Sequence, residues 1–550
     1  MHDGFFVMSQ PLPRQDAQVE PDALTRAAAV QWDVIVIGTG VGGGIIGRRL
    51  AEHGLSVLFV EKGAVGHRSE GQVLRDDLSD YAARRSRGYW PTPIEARIDE
   101  AHPLQFFGPL GSGVGGSSVF YAAAAERPER HDFEATNEVR HPTGGWPVGY
   151  DAFRPYYDQA EQLLSVRGEA DPLSDVTATL LPPPPLNPAE AAFFADLRAA
   201  GLHPYRAHEA LRRVPGCTDC LGRKCPLPCK MDGRSAGVEP ALLTGRATLL
   251  TDTTVEELIE AGGRITQLRV RNGNREGTLR ATIVVLAAGA LHSPGLLLRS
   301  TGTHAAGCAN SSGWVGRGLM FHLSEMVAIW PRRGSPAVGA TRTLSFRDLY
   351  LHEGERLGLV QSMGIAADAG QIAGHLKGIL SRSRLRRIPG ASRAVTLAAR
   401  IGAGVFGSAT VLVGLIEDFA YPENRVVPHP DDPEMPLITY RISDELKARR
   451  SRFRSLIRQR LRAHRMMFLN YGPSLNFGHP SGTLRFGNDP ATSVLDADCK
   501  AHDLDNLYVA DASFMPSSMG VNPSLTIAAN ALRVGDAIAA RLAVAQRQAS

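Results

Sequence analysis

Residues 33–61 constrain this chain more than any other stretch. Asp33-Val34-Ile35-Val36-Ile37 is a β-branched run ending in glycine, the pattern of a strand buried on both faces of a parallel sheet. Gly38-Thr39-Gly40-Val41-Gly42-Gly43 follows at once, then a helical stretch to His53 that Gly54 stops. Ser56-Val57-Leu58-Phe59-Val60-Glu61 is a second strand, closed by an acid. Together they make one strand–turn–helix–strand unit of roughly thirty residues. Each glycine removes a Cβ where backbone must approach a pyrophosphate or a neighbouring strand, and the helix then aims free N–H groups and its positive end at the phosphates. Gly38, Thr39, Gly40, Gly42 and Gly43 are therefore expected at a dinucleotide. Glu61, 23 residues after Gly38, is placed for ribose hydroxyls. A carboxylate there disfavours a 2′-phosphate, so NADP is the least suited ligand. FAD and NAD both stay open on these residues.

At 550 residues the chain is too long for a single hydrophobic core. A formal charge of +4 excludes both a strongly basic nucleic-acid binder and a disordered polyelectrolyte. The start has no basic segment followed by an apolar one, and no uncharged apolar run is long enough for a membrane span, so a cytoplasmic protein is expected. The nearest approach, Ile401–Ile416, reads as a buried helix. Residues 1–28 read as a polar tail. A helix is expected over Tyr150–Val166, a surface crossover at Leu181–Pro185, and strands at Ala247–Leu258, Arg264–Val270 and Ala281–Ala287.

The far end of the chain decides between FAD and NAD. Asn506–Ser513 is a strand ending in an acid, followed by Gly520-Val521-Asn522-Pro523-Ser524-Leu525-Thr526 and a long helix. Here the sequence resembles the glucose–methanol–choline family of FAD-dependent oxidoreductases. Besides the first turn, the shared motifs are GVGGSS at 113–118, IVVLAAGALHSPGLLLRS at 283–300 and VGRGLMFH at 315–322. They continue with EDFAYPENRVV at 417–427, HPSGTLRFG at 479–487 and DNLYVADASFMPSSMGVNPSLTIAANALR at 505–533. The resemblance implies an α/β chain in which a Rossmann-type FAD-binding domain (29–130, 246–324 and 476–545) is interleaved with an α+β substrate-binding domain (325–475). Residues 131–245 form a substrate-side region. It also implies that Gly116 and Ser117 lie along the flavin, that the Val255 backbone meets the adenine, and that Asp511 lies near the pyrophosphate and ribityl chain. Some relatives attach FAD through a histidine after the GGSS-type turn. Val119-Phe120-Tyr121 stands there in this chain, so non-covalent FAD is expected.

Oxidising an alcohol requires that the hydroxyl proton reach a base while hydride leaves the carbon for the flavin. A histidine suits that base. By the resemblance the base is His479 and its hydrogen-bond partner is Asn522, a neutral carboxamide that can donate to the substrate oxygen without competing for the proton. His322, in LMFH, reads as structural, and Arg485 as a packing residue. The expected function is oxidation of a CH–OH group in a small-molecule alcohol. The alternatives are an oxygen-using alcohol oxidase, a lyase or decarboxylase of the same fold, and a flavin binder without turnover.

Four of the six cysteines, Cys217, Cys220, Cys225 and Cys229, fall within thirteen residues. Thiolates so dense can hold an iron–sulfur cluster or zinc, or pair as disulfides. The spacing is close to that of a family subset resembling bacterial FAD-dependent sugar dehydrogenases, where a cluster relays electrons from flavin to a cytochrome. Lys230 stands where a proline often follows the last ligand. On this reading electrons pass to a cytochrome or quinone rather than to oxygen. Residues 370–416 hold no acid but carry Lys377, Arg382, Arg384, Arg386, Arg387, Arg393 and Arg400 among apolar residues, a composition suited to peripheral contact with an anionic membrane.

Overall fold

The computed structural model describes residues 23–66, 68, 81–136, 139–300, 305–332, 334–364, 373, 376, 380, 388 and 390–549. The opening unit folds as its pattern dictates: β1 is Gln31–Ile37, α1 is Val41–Glu52 and β2 is Val57–Val60. β1 lies parallel between β2 and the upper half of the long strand Arg275–Leu286, with Ile37 opposite Val60 on one side and Leu286 on the other. Ala247–Leu250 extends the sheet beyond β2 and Leu507–Val509 beyond Leu286, both parallel. The carboxyl ends of all five strands therefore meet along one edge, where an open α/β sheet binds its ligand. The lower half of Arg275–Leu286 turns back into an antiparallel meander with Arg264–Asn272 and Thr253–Ala261. α1 packs beside the C-terminal helix Ser524–Ala549, whose Leu525, Ala528, Leu532 and Val534 are buried.

A second layer is an antiparallel sheet. Among the described residues its order is Met466–Phe468, Leu323–Ile329, Thr410–Ile416, Val360–Ser362, Leu344–Phe346, Tyr205–Arg206. The helix Asp444–Arg460 lies on it, capped by Ser443, whose hydroxyl accepts from the Leu446 N–H. Its Phe453 ring sits against Gly414, where a Cβ would come within 2.1 Å of the ring. Buried ion pairs join this layer to the segment 126–132: Arg347 with Glu126 (3.2 Å) and Glu129, and Arg356 with Asp132 (3.1 Å) and Glu417 (2.8 Å). Removing one member would leave a buried charge short of a partner, so these pairs fix the segment 126–132 against this layer.

Three expectations need correction. The polar tail includes a helix, Ala23–Ala28, whose Leu24 is buried against Gly277. The strand expected over Ala247–Leu258 breaks at Asp252, which takes a left-handed φ of 54°, so that two strands with different partners form. The apolar run Ile401–Ile416 is not one buried helix. The helix Ala391–Phe406 ends there, and Thr410–Ile416 is a fully buried strand paired on both sides. A short apolar run carries no period that separates these outcomes. Lys377, Arg382, Arg384, Arg386 and Arg387 lie outside the described residues. Among those described, no helix is long and apolar enough to cross a membrane.

Candidate active site

The strand ends open into a cavity of about 400 Å³. Gly38, Thr39, Gly40, Gly42, Glu61, Gly116, Ser117, Val255, Asp511, His479 and Asn522 all line it, bringing together nearly every predicted site residue outside the cysteine cluster. Gly43 does not line it. A Cβ there would come within 2.1 Å of the Gly38 carbonyl oxygen, so this glycine serves the close crossing of α1 over the turn. Gly38 has φ of 94° and lies so near the end of Arg275–Leu286 that a Cβ would reach the Ala287 oxygen at 2.5 Å. Gly40 differs from both: a Cβ on it would meet no protein atom within 4 Å. It stands immediately before α1, facing open space at a helix N-terminus, as a diphosphate cradle requires.

Glu61 is buried at the end of β2 and accepts from the backbone N–H groups of Thr39 (3.1 Å) and Gly63 (2.9 Å). Burial pushes its pKa up, and these bonds oppose the shift. Asp511 accepts from the N–H groups of Gly289 (2.8 Å) and Ser513 (2.9 Å), tying together the two loops that follow the central strands. The Ser117 hydroxyl accepts from the Gly111 N–H at 3.0 Å and closes the turn. The Val255 carbonyl accepts from Arg299 at 3.2 Å. The glycine cradle and the acid at the end of β2, lining one cavity at the strand ends, fit FAD.

At the reacting end, His479 is half-buried and Asn522 is buried. His479 Nδ1 lies 3.1 Å from Nδ1 of His322 and 3.3 Å from the side-chain nitrogen of Asn476. Burial, with the neighbouring His322, pushes the His479 pKa down to about 3. His322 is almost wholly enclosed, and burial lowers its pKa to about 4. Its Nε2 lies 2.9 Å from the Met519 carbonyl oxygen. Met519 takes a left-handed φ of 59°, uncommon for a residue with a side chain, in the loop that also carries Asn522. Trp146 and Tyr350 pin that loop through Ser517 and the Gly520 N–H. The Asn522 side-chain oxygen accepts from Gln361 at 3.0 Å. Sequence reasoning missed Gln361, which sits in no motif. Arg485 packs over Trp314 at 3.8 Å and donates to the Thr492 carbonyl, as a packing residue should.

The four clustered cysteines do come together: Cys220, Cys225 and Cys229 are buried, and the Cys229 thiol donates to the Cys217 sulfur at 2.8 Å. None is in a disulfide, and among the described residues no group of three or more His, Cys, Asp or Glu side chains forms a set able to hold a metal. The loop is organised around Lys230. Its fully buried ammonium donates to the carbonyls of Tyr121 (3.1 Å), Cys220 (2.9 Å) and Arg223 (2.6 Å), and burial lowers its pKa to about 8. Cys308 and Cys499 are buried packing residues.

Comparison with known proteins adds an independent line. The model described as GMC oxidoreductase matches over residues 49–324 in its N-terminal part and 440–531 in its C-terminal part. Paromamine 6′-oxidase of Streptomyces fradiae is 31% identical over 93% of this chain and 92% of its own. 2-Methyl-1,2-propanediol dehydrogenase of Mycolicibacterium austroafricanum is 27% identical over 94% and 96%. Among solved structures, pyridoxine 4-oxidase from Mesorbium loti shares the fold with a TM-score of 0.60 at 20% identity, over 92% of this chain and 99% of that one.

Proposed function

The chain belongs to the GMC oxidoreductase family, and from that premise we propose that it oxidises a small polar alcohol at bound FAD, with His479 as base and Asn522 as hydrogen-bond partner. That it is an oxidoreductase of CH–OH groups follows from the family itself. The roles of the two residues rest on one observation: His479 and Asn522 line the same cavity as the Gly38–Gly40 turn and Glu61. Bound FAD supplies the hydride acceptor. Burial lowers the His479 pKa to about 3, so its ring is neutral at working pH with a nitrogen open to the hydroxyl proton, though as a weaker acceptor than a histidine titrating near 7. Asn522 carries no charge and steadies the substrate oxygen as alkoxide character grows. Pro109, Leu110, Ala122 and Pro480 give the cavity apolar walls that keep water from the reacting carbon. No histidine follows the Gly115–Ser118 turn, which supports non-covalent attachment.

The reading we favour has the acceptor reach the flavin directly, which the oxidase name of the paromamine relative supports; a cytochrome or quinone served through an iron–sulfur cluster at Cys217, Cys220, Cys225 and Cys229 is the alternative. The relatives' names make paromamine, 2-methyl-1,2-propanediol and pyridoxine the first alcohols to try. Anaerobic addition of each to the yellow enzyme, followed at the flavin absorbance, is the test. Bleaching by an alcohol supports the reading; a flavin that no alcohol reduces marks a binder or a lyase.

A specific surface supports membrane contact. Among the described residues the most exposed aliphatic side chains are Ile401 (65%), Leu397 (61%) and Ile388 (54%), all on or just before the helix Ala391–Phe406. Arg393 and Arg400 are exposed on the same helix, which holds no acid. Apolar side chains flanked by arginines suit the headgroup region of an anionic bilayer.

A further inference from the structure

We infer that His322 and Gln361 are positioning residues: His322 fixes the tautomer of His479, and Gln361 fixes which end of the Asn522 carboxamide faces the cavity. The inference rests on the reading of His479 and Asn522 as base and partner. It runs from hydrogen-bond complementarity, with His322 in its neutral form. The Met519 carbonyl oxygen can only accept, so His322 Nε2, 2.9 Å away, carries a hydrogen. His322 is 1% exposed, and burial lowers its pKa to about 4, so it is neutral at working pH and its Nδ1 keeps a bare lone pair. The atom facing that lone pair at 3.1 Å is Nδ1 of His479. Two lone pairs opposed at that distance in a buried place would repel, so His479 Nδ1 carries the hydrogen and donates. The Asn476 amide, its oxygen held by the Gly478 N–H, turns its NH₂ toward the same nitrogen and would favour an accepting Nδ1, but at 3.3 Å this contact is longer than the one to His322, and the shorter contact decides the tautomer. The hydrogen on Nδ1 leaves His479 Nε2 as the proton acceptor. The opposite tautomer would carry its hydrogen on Nε2 and could not serve as a base through that nitrogen.

Gln361 does the same for the partner. It is 4% exposed, on a short strand paired on both sides, and its amide nitrogen donates to the Asn522 oxygen at 3.0 Å. That bond occupies the oxygen and leaves the Asn522 amide N–H groups for the cavity. Reversing both amides would strand a buried NH₂ on Gln361. The present arrangement leaves only its carbonyl oxygen without a partner, which proteins tolerate better. The cavity is thus met by one acceptor and one donor, the pair an alcohol needs for its proton and its oxygen. Neither His322 nor Gln361 touches the reacting atoms; each acts through a residue that does.

The test starts from the holoenzyme carrying ¹⁵N-labelled histidine. The His479 ring signals, identified by their loss in His479→Ala, should show the Nδ1–H tautomer in the wild type and shift toward Nε2–H in His322→Leu. Anaerobic flavin reduction, by whichever alcohol bleaches the wild type, should slow by roughly 10–100-fold in His322→Leu. His322→Gln, which can still donate to Met519 and accept from His479, should restore most of the rate. Gln361→Met should lower the reduction rate, and Gln361→Glu, which can only accept and so turns Asn522 around, should lower it further. FAD content should stay at the wild-type level throughout. An Nε2–H tautomer in wild-type His479 overturns the inference, whether or not the variants fold. So does wild-type reduction in both His322→Leu and Gln361→Met. If His479→Ala itself reduces its flavin normally, the base assignment fails first, and the two failures are thereby told apart.

Discussion

Gly40 and Gly42 sit two residues apart in one turn, yet replacing each with alanine should damage different properties. A Cβ on Gly40 meets no protein atom within 4 Å, and its backbone (φ −57°, ψ −175°) is open to any residue. Gly40→Ala therefore leaves the protein's own packing intact, and the unfolded chain loses freedom, a gain of about 0.4–1 kcal/mol. The methyl instead projects into the cradle assigned to the diphosphate. Overpacking of this kind costs about 1–3 kcal/mol, which weakens FAD binding by roughly 5–150-fold. A Cβ on Gly42 would lie 1.7 Å from the Ala510 carbonyl oxygen, at the end of the strand Leu507–Val509. Backbone must move to admit it, so Gly42→Ala should lower the stability of the apoprotein by about 1–3 kcal/mol or more. Urea denaturation of the apoproteins and FAD titration by fluorescence quenching separate the two effects. Gly40→Ala with full stability and weak FAD binding is the expected result. Wild-type FAD affinity in that variant would refute the placement of the diphosphate.

Other expectations follow from the same geometry. Because burial and His322 push the His479 pKa down to about 3, the base stays neutral on acidification, and the flavin-reduction rate should hold through pH 6.5 and fall only as pH nears that lower value. Loss of rate centred near pH 6.5 would contradict it. Stability has its own window: His322 and His479 have folded pKa values below the unfolded one. Their contribution is therefore full above about pH 6.5 and is lost as pH falls toward 4 and then 3. Acid precipitation should release all flavin to the supernatant, and the native protein should hold no stoichiometric iron or zinc; yellow pellets or a full metal complement would refute these points. The protein should sediment with phosphatidylglycerol vesicles but not with phosphatidylcholine vesicles, and Leu397→Asp with Ile401→Asp should abolish that binding. Equal binding to both lipids, or none, would remove the membrane surface.

The sequence disclosed those parts whose cause is local. The glycine spacing at 38–43 and the acid at 61 follow from backbone approach over a few residues, so β1, α1 and β2 could be placed from the chain alone. His479 and Asn522 were legible only through the motifs around them. What stayed hidden depends on distant partners. Nothing near Gln361 announces that its amide meets Asn522, 161 residues away, and His322 acquires its role from a carbonyl exposed by the left-handed Met519. The run 401–416 divides because Thr410–Ile416 finds a strand on either side. The cysteine spacing left metal and disulfide readings open, and gave no sign that the Lys230 ammonium would donate to the Cys220 and Arg223 carbonyls of the same loop, a contact no thiol pattern encodes.

The central claim, that His479 is the base of an alcohol oxidation at FAD, is tested most directly by anaerobic stopped-flow reduction of His479→Ala beside the wild type. The variant should bind FAD normally and lose roughly 10²–10⁴-fold in reduction rate, the usual contribution of a positioned base. A His479→Ala enzyme that bleaches with alcohol as fast as the wild type would contradict the account.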